Sequence, residues 1–264
     1  MRVVYGLALE RARVRILLLA LGFGLFELVV GLSYASVDQN AIRQVVDALP
    51  PALRALAGSA DIATPTGYAG SGYLHPVALA CQAAIAISMA AAPAREAEDG
   101  TAELVLSRPL PPHRWLAAHA MAMATGLAIV VAGGYLGGLV AALTVDDLAP
   151  VDPGPLALAL LAGFACFLAV GGVTLLVASL VRTGGRAVGW ATGFLLVSYA
   201  LDYLSQVWSI AEPLGPLSIF HHLDPPAVLG SGTLGTGDVL VLTGLAAVTI
   251  AAALVLVERR DLTP

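Results

Sequence analysis

The chain has 264 residues, 58% of them hydrophobic and 12% charged, with a formal net charge of −5. A soluble domain carries about 25% charged residues, so the bulk solvent here is lipid, and the absence of a basic tail or stripe argues against nucleic acid as a partner. All thirteen basic residues are Arg. Without Lys there is no P-loop, whose Lys holds nucleotide phosphates, so any ATP that drives this chain binds elsewhere.

Residues 1–15 carry Arg2, Arg11, Arg13 and Arg15 among apolar residues, which suits an amphipathic helix lying in the membrane interface. The first span is expected at 16–37. It is too long for a signal-peptide core of about 7–15 residues and is read as retained. Ala20, Gly24, Glu27, Gly31 and Ala35 share one face of it. Small residues there allow close helix packing and turn Glu27 towards protein. An ionisable group at that depth is a candidate for function.

From Asp38 to His75 the chain is polar and rich in Pro and Gly, and Ala41–Leu49 and Pro51–Ala57 suit short surface helices. Gly70-Ser71-Gly72 near His75 has the residue types of a serine nucleophile, but no base on a second helix is identifiable. The second span is expected at 76–94. Arg95–Arg114 follows, with Arg95, Glu96, Glu98, Asp99, Glu103, Arg108 and Arg114 charged. Its middle, GTAELVLS, has good helix formers with an acid near the start, and Pro109, Pro111 and Pro112 end it. A short charged helix of about two turns results, held between two spans.

The third span is expected at 115–145, where Gly133, Gly134, Gly137 and Gly138 predict a kink or close contact. After a short acidic loop come the fourth span at 156–181, a tight loop at 182–186 and the fifth span at 187–207. The far end of the fifth carries Ser198, Tyr199, Asp202, Tyr203 and Gln206. Within the Pro/Gly-rich 208–237, Leu214–Phe220 is too short to span and suits a re-entrant or interfacial segment. His221, His222 and Asp224 are metal-capable, but adjacent histidines point different ways on a helix, and no metal is assigned. The sixth span is expected at 238–257. Cys81 and Cys166 fall inside spans and read as buried small side chains.

Placing both termini and the 95–114 and 182–186 loops on one side collects eleven of the thirteen arginines, leaving Arg43 and Arg54 opposite. By the positive-inside rule the termini are cytoplasmic. The expected fold is an all-α membrane protein, one permease domain over 1–264 with six transmembrane helices in the cell membrane.

Glu96, Glu98, Gly100, Thr101, Glu103, Leu106, Ser107, Pro109 and Arg114 form E-x-E-x-G-T-x-E-x-x-L-S-x-P followed by an Arg. This resembles the first cytoplasmic loop of ABC-2-type transporter permeases, departing from it at Leu110-Pro111-Pro112-His113. The resemblance implies that residues 95–107 are a coupling helix docking on a separate ATPase, with Glu96, Glu98, Asp99, Gly100, Thr101, Glu103 and Arg108 as contact residues. It implies two copies of that ATPase, which hold ATP and Mg, and a second permease subunit, identical or related. The expected function is export of an apolar or amphipathic cargo (drug, antibiotic or lipid-like), with Glu27, Tyr199, Asp202 and Tyr203 as residues of the cargo path or subunit interface. The alternative is a proton-coupled secondary transporter using Glu27 and Asp202, which needs several deep ionisable groups. An integral membrane enzyme needs a convergent catalytic set that the sequence lacks.

Overall fold

A computed structural model describes residues 1–36, 38–48, 62–107 and 110–259, and among these it is helical with no strand. Pro51–Ala57, Arg54, Arg108 and Arg260 lie outside the described residues.

Helix α1, Arg2–Tyr34, is one uninterrupted helix of 33 residues. The separate interfacial helix expected over 1–15 is therefore not set off from the span. No Pro or Gly lies between Leu7 and Leu21 to break the ladder, and at 1.5 Å per residue the helix is about 50 Å long, well beyond a hydrocarbon core of about 30 Å. Leu17, Leu18, Leu21, Leu25, Val29 and Leu32 form its exposed stripe. Asp38 starts α2, Gln39–Ala48, by accepting from the Asn40 and Ala41 N–H groups at 2.9 and 3.3 Å.

The stretch expected to be polar loop up to His75 contains a further helix, α3, Pro65–Leu74. Thr64 caps it, accepting from Gly67 N–H at 3.1 Å. Pro76 cannot continue the α3 ladder. His75 Nδ1 accepts from Val77 N–H at 3.2 Å and starts α4, Pro76–Ala90. At 15 residues α4 is about 22 Å long, short of a full span. Only together do α3 and α4, bent by 42°, reach the length and apolarity of one, as a broken span or a re-entrant loop. The expected second span also ends early: the chain turns at Ala91 into α5, Ala92–Glu98, and then α6, Thr101–Leu106.

Among the described residues, five helices are long and apolar enough to cross a membrane unaided: α1, α7 (Pro112–Thr144), α8 (Pro153–Leu180), α9 (Gly184–Val207) and α11 (Thr236–Glu258). The chain is thus a multi-pass, all-helical membrane protein. The most enclosed is α8, most of whose apolar stretch is buried, whereas α9 is largely exposed. The glycines of α7 serve close contact: a Cβ at Gly24 on α1 would stand 2.6 Å from the Gly133 carbonyl oxygen, and one at Gly137 would collide with the Gly24 carbonyl. The small face of α1 therefore seats on the glycine row of α7.

The segment before α11 does not form the single stretch expected at Leu214–Phe220. It makes two 3-10 turns, Glu212–Leu217 and Phe220–His222, followed by helix α10, Pro225–Ser231. Ser218 and Ile219 plug between α8 and α9. Ser218 Oγ donates to the Ser198 carbonyl at 2.7 Å and Ile219 N–H donates to Ser198 Oγ at 3.0 Å. Phe220 meets Phe167 and Tyr199 edge to face. The helix α10 lies on α3, with Pro226 against Gly70.

Contacts between His113 and Glu258, Arg11 and Glu96, and Glu98 and Gly184 gather the start of α1, α5, the start of α7, the start of α9 and the end of α11 at one end of the bundle. That end carries the described arginines outside the α2 region. A cysteine scan checks which side it faces. Gly184 is a poor probe, since the Arg95 stem lies over it; Gly185 and Gly154 have open space around them. Cysteines at Gly154 and Gly185 are expected to label from outside and inside respectively, and labelling of both from outside would overturn the orientation.

Candidate functional site

The charged stretch between α4 and α7 is an elbow of two short helices. Pro93 sits in the first turn of α5, and the buried Ala91 and Ala94 pack it on Ala178 and Ala187. The turn at Asp99 and Gly100 breaks the helix expected over 95–107, with Gly100 at φ +71°, the left-handed region that favours glycine. Thr101 Oγ1 donates back to the Glu96 carbonyl at 3.2 Å, folding α6 against α5. The two-turn helix expected in GTAELVLS is α6.

The acids of the elbow divide into two groups. Glu96, expected as a contact for a partner, faces inward and has partners within the chain. Its Oε1 accepts from Arg11 at 3.0 Å, and its Oε2 lies 3.2 Å from both Trp115 Nε1, which donates, and His119 Nε2. Trp115 is 2% exposed. Glu98 is exposed, yet its Oε2 accepts from the Gly184 N–H at 2.9 Å, fastening α5 to the start of α9. Asp99 and Glu103 are exposed, and beside Glu103 stands Leu104, a leucine 73% exposed. The apolar residues of α6 are expected to pack on the chain's own spanning helices; Ala102 is buried and does so, whereas Leu104 points out. Sequence reasoning missed Arg11, Trp115 and His119. The available signal was Trp115 and His119 one turn apart on one face of α7, each able to donate to an acid.

Burial by itself raises the Glu96 carboxyl, but hydrogen bonds and charge from His119, the Trp115 N–H and the Arg11 guanidinium outweigh it and hold the group below its ordinary value of 4.5. A carboxyl lowered on folding adds stability above its unfolded value, and that stability is lost as pH falls through the folded value. Glu96→Gln is therefore expected to cost about 1.5–3 kcal/mol near neutral pH and progressively less below pH 4.5. Thermal unfolding of both proteins across that range checks it; a gap independent of pH would remove the charge from the account.

The expected cargo-path residues do not form one site. Glu27 is 3% exposed and lies among α1, α3 and α7, beside Val30, Tyr73, Gly138 and Leu156. A Cβ at Gly72 would stand 2.7 Å from its Oε2, so α3 closes over the carboxyl. Asp202 instead takes a 2.8 Å hydrogen bond from Gln206 and lies 4.0 Å from His221 Nδ1. Tyr199 packs on Phe220, and Tyr203 is half-buried near the same end of α9. His222 is held by Asp238 at 2.8 Å, while Asp224 caps α10 by accepting from Ala227 N–H. The rings of His221 and His222 stand at 90°. Among the described residues no three metal-capable side chains converge. Ser71 Oγ donates to the Tyr68 carbonyl, a local role like that of His75.

The sequence model of the family described as the C-terminal domain of the multidrug efflux system permease Rv1217c matches residues 1–257. No curated protein matches the chain.

Proposed function

The chain belongs to this multidrug efflux permease family, in keeping with the ABC-2-type resemblance of residues 96–114, and from that premise we infer that it is the membrane subunit of an ATP-driven exporter. On this reading the α3–α4 pair supplies a sixth crossing, the termini are cytoplasmic, and two permease subunits enclose a path for an apolar or amphipathic cargo. ATP and Mg belong to two copies of a partner ATPase that dock under the elbow.

The observation that carries it is the way the elbow is mounted. Glu96 ties α5 to α1 and α7, and Glu98 ties it to α9, while Asp99, Glu103 and Leu104 are left facing out. A force applied to α6 therefore reaches three spanning helices through charge-assisted hydrogen bonds, the stronger class. The proton-coupled alternative asks Glu27 and Asp202 to work together, and their neighbours are different elements. The test is co-purification: the tagged chain, extracted from its own membrane, should bring down an ATP-hydrolysing subunit and lose it when Glu103 is reversed in charge.

A further inference from the structure

At the arginine-rich end a crevice of about 300 Å³ opens between the first turns of α1, the end of α4, the elbow and the start of α7. Three guanidiniums line it, those of Arg11, Arg15 and Arg95, and they are not equivalent. Arg11 is engaged by Glu96 at 3.0 Å. Neither Arg15 nor Arg95 has a carboxylate within ion-pair distance among the described residues. Arg95 donates to the Ser88 carbonyl at 3.3 Å, and the charged neighbour acting on Arg15 is Arg95 itself. The acid best placed to balance them, Glu96, has both oxygens occupied. Asp99 stands exposed on the rim. Two like charges sharing a half-enclosed site repel unless an anion lies between them.

The floor of the crevice is of the opposite character. Ala12, Met89 and Ala122 are buried there and carry no polar side chain. The depth is also informative. Arg15 immediately precedes the apolar run that begins at Ile16, and Ser88 lies in the last turn of α4, so the crevice lies at the membrane boundary, where lipid phosphates lie. Basic pockets between spanning helices at that level suit anionic head groups.

We propose that this crevice binds the phosphate of an anionic phospholipid, with Arg15 and Arg95 as its cationic contacts and the alanine and methionine floor under its glycerol and upper acyl chain. The recognised chemistry is a phosphate ester. A free phosphate carries the charge but gains nothing from the floor. A bound lipid joins α1 to α5, and so, resting on the reading of the elbow as the docking element, it sets how firmly that element is held. Lipid binding is measured on this chain alone, so its outcome is independent of whether an ATPase docks.

The experiment is native mass spectrometry of the full chain in detergent, titrated with phosphatidylglycerol, phosphatidylcholine or inorganic phosphate. Phosphatidylglycerol is expected to bind and phosphatidylcholine, whose choline cancels the phosphate charge, to bind weakly. Arg15→Gln and Arg95→Gln should each reduce phosphatidylglycerol affinity about fivefold, and Arg95→Lys should keep most of it, which separates lost charge from lost fold. Arg13→Gln is the control. It removes the same charge from the same helix, but Arg13 pairs with Glu10 outside the crevice, and its binding should match the wild type. Equal loss in Arg13→Gln and Arg15→Gln, equal binding of the two lipids, or displacement of phosphatidylglycerol by inorganic phosphate would each overturn the proposal.

Discussion

Gly137→Val is expected to unseat α1 from α7 and to leave little monodisperse protein after extraction. A Cβ at 137 collides with the Gly24 carbonyl, one at Gly133 collides with the Ala20 carbonyl, and one at Gly24 stands 2.6 Å from Gly133 O. The obstructing atoms are backbone, so no rotamer change relieves them, and α1 must move as a body. Overpacking relieved by side chains costs about 1–3 kcal/mol; here the cost is expected at or above the top of that range. The displacement also draws Glu27 from beneath Gly72 and Phe23 from Gly134, both of which meet within contact distance. Gly244→Val on α11, with open space around it, is the matched control and should fall within about 0.5 kcal/mol of the wild type. Thermal unfolding and size exclusion in detergent decide it. A wild-type midpoint for Gly137→Val would mean that the close approach of these two helices contributes little.

That contact was half legible in the sequence. The row Ala20, Gly24, Glu27 and Gly31 on one face predicted close packing, and Gly133, Gly134, Gly137 and Gly138 predicted a kink or close contact; only the fold shows that the two rows meet. Spans were legible where apolar length alone identifies them, as in α7, α8, α9 and α11. The helix α3 was not, because PTGYAGSGYL is rich in residues of poor helix propensity and reads as loop. Its helicity depends on tertiary contacts, Gly70 under Pro226 and Gly72 over Glu27. Likewise nothing local marks the difference between Glu96 and Glu103. Both are acids in a polar run, and the inward turn of Glu96 depends on Arg11, 85 residues away, and on the start of α7. The continuity of α1 was misread because clustered arginines mark a membrane boundary without breaking a helix.

Glu103→Arg is expected to leave insertion intact and unfolding temperature nearly so, while abolishing coupling to the ATPase proposed as its partner. Glu103 is exposed and Leu104 beside it is 73% exposed, so α6 offers a charge next to an apolar knob, and Glu103 gives the chain only the small stabilisation of an exposed first-turn acid, under about 1 kcal/mol. A solvated rim pair is worth under about 1 kcal/mol. A charge buried on docking and then reversed leaves an unpaired partner, at about 3–5 kcal/mol, or a hundredfold or more in affinity. The inward acids make poor companions for a double reversal: Glu96→Arg would break the tie to Arg11, Trp115 and His119, and Glu98→Arg would remove the cap on Gly184. Asp99→Arg is the second change that breaks neither of these ties, since Asp99 is exposed on the crevice rim; lipid binding is measured beside it to separate the two effects. The readouts are pull-down of the ATPase, cargo-stimulated ATP hydrolysis and transport in reconstituted vesicles. If Glu103→Arg and the Asp99/Glu103 double reversal both bind and transport like the wild type, α6 is a solvated turn, and the force that moves this permease must enter elsewhere.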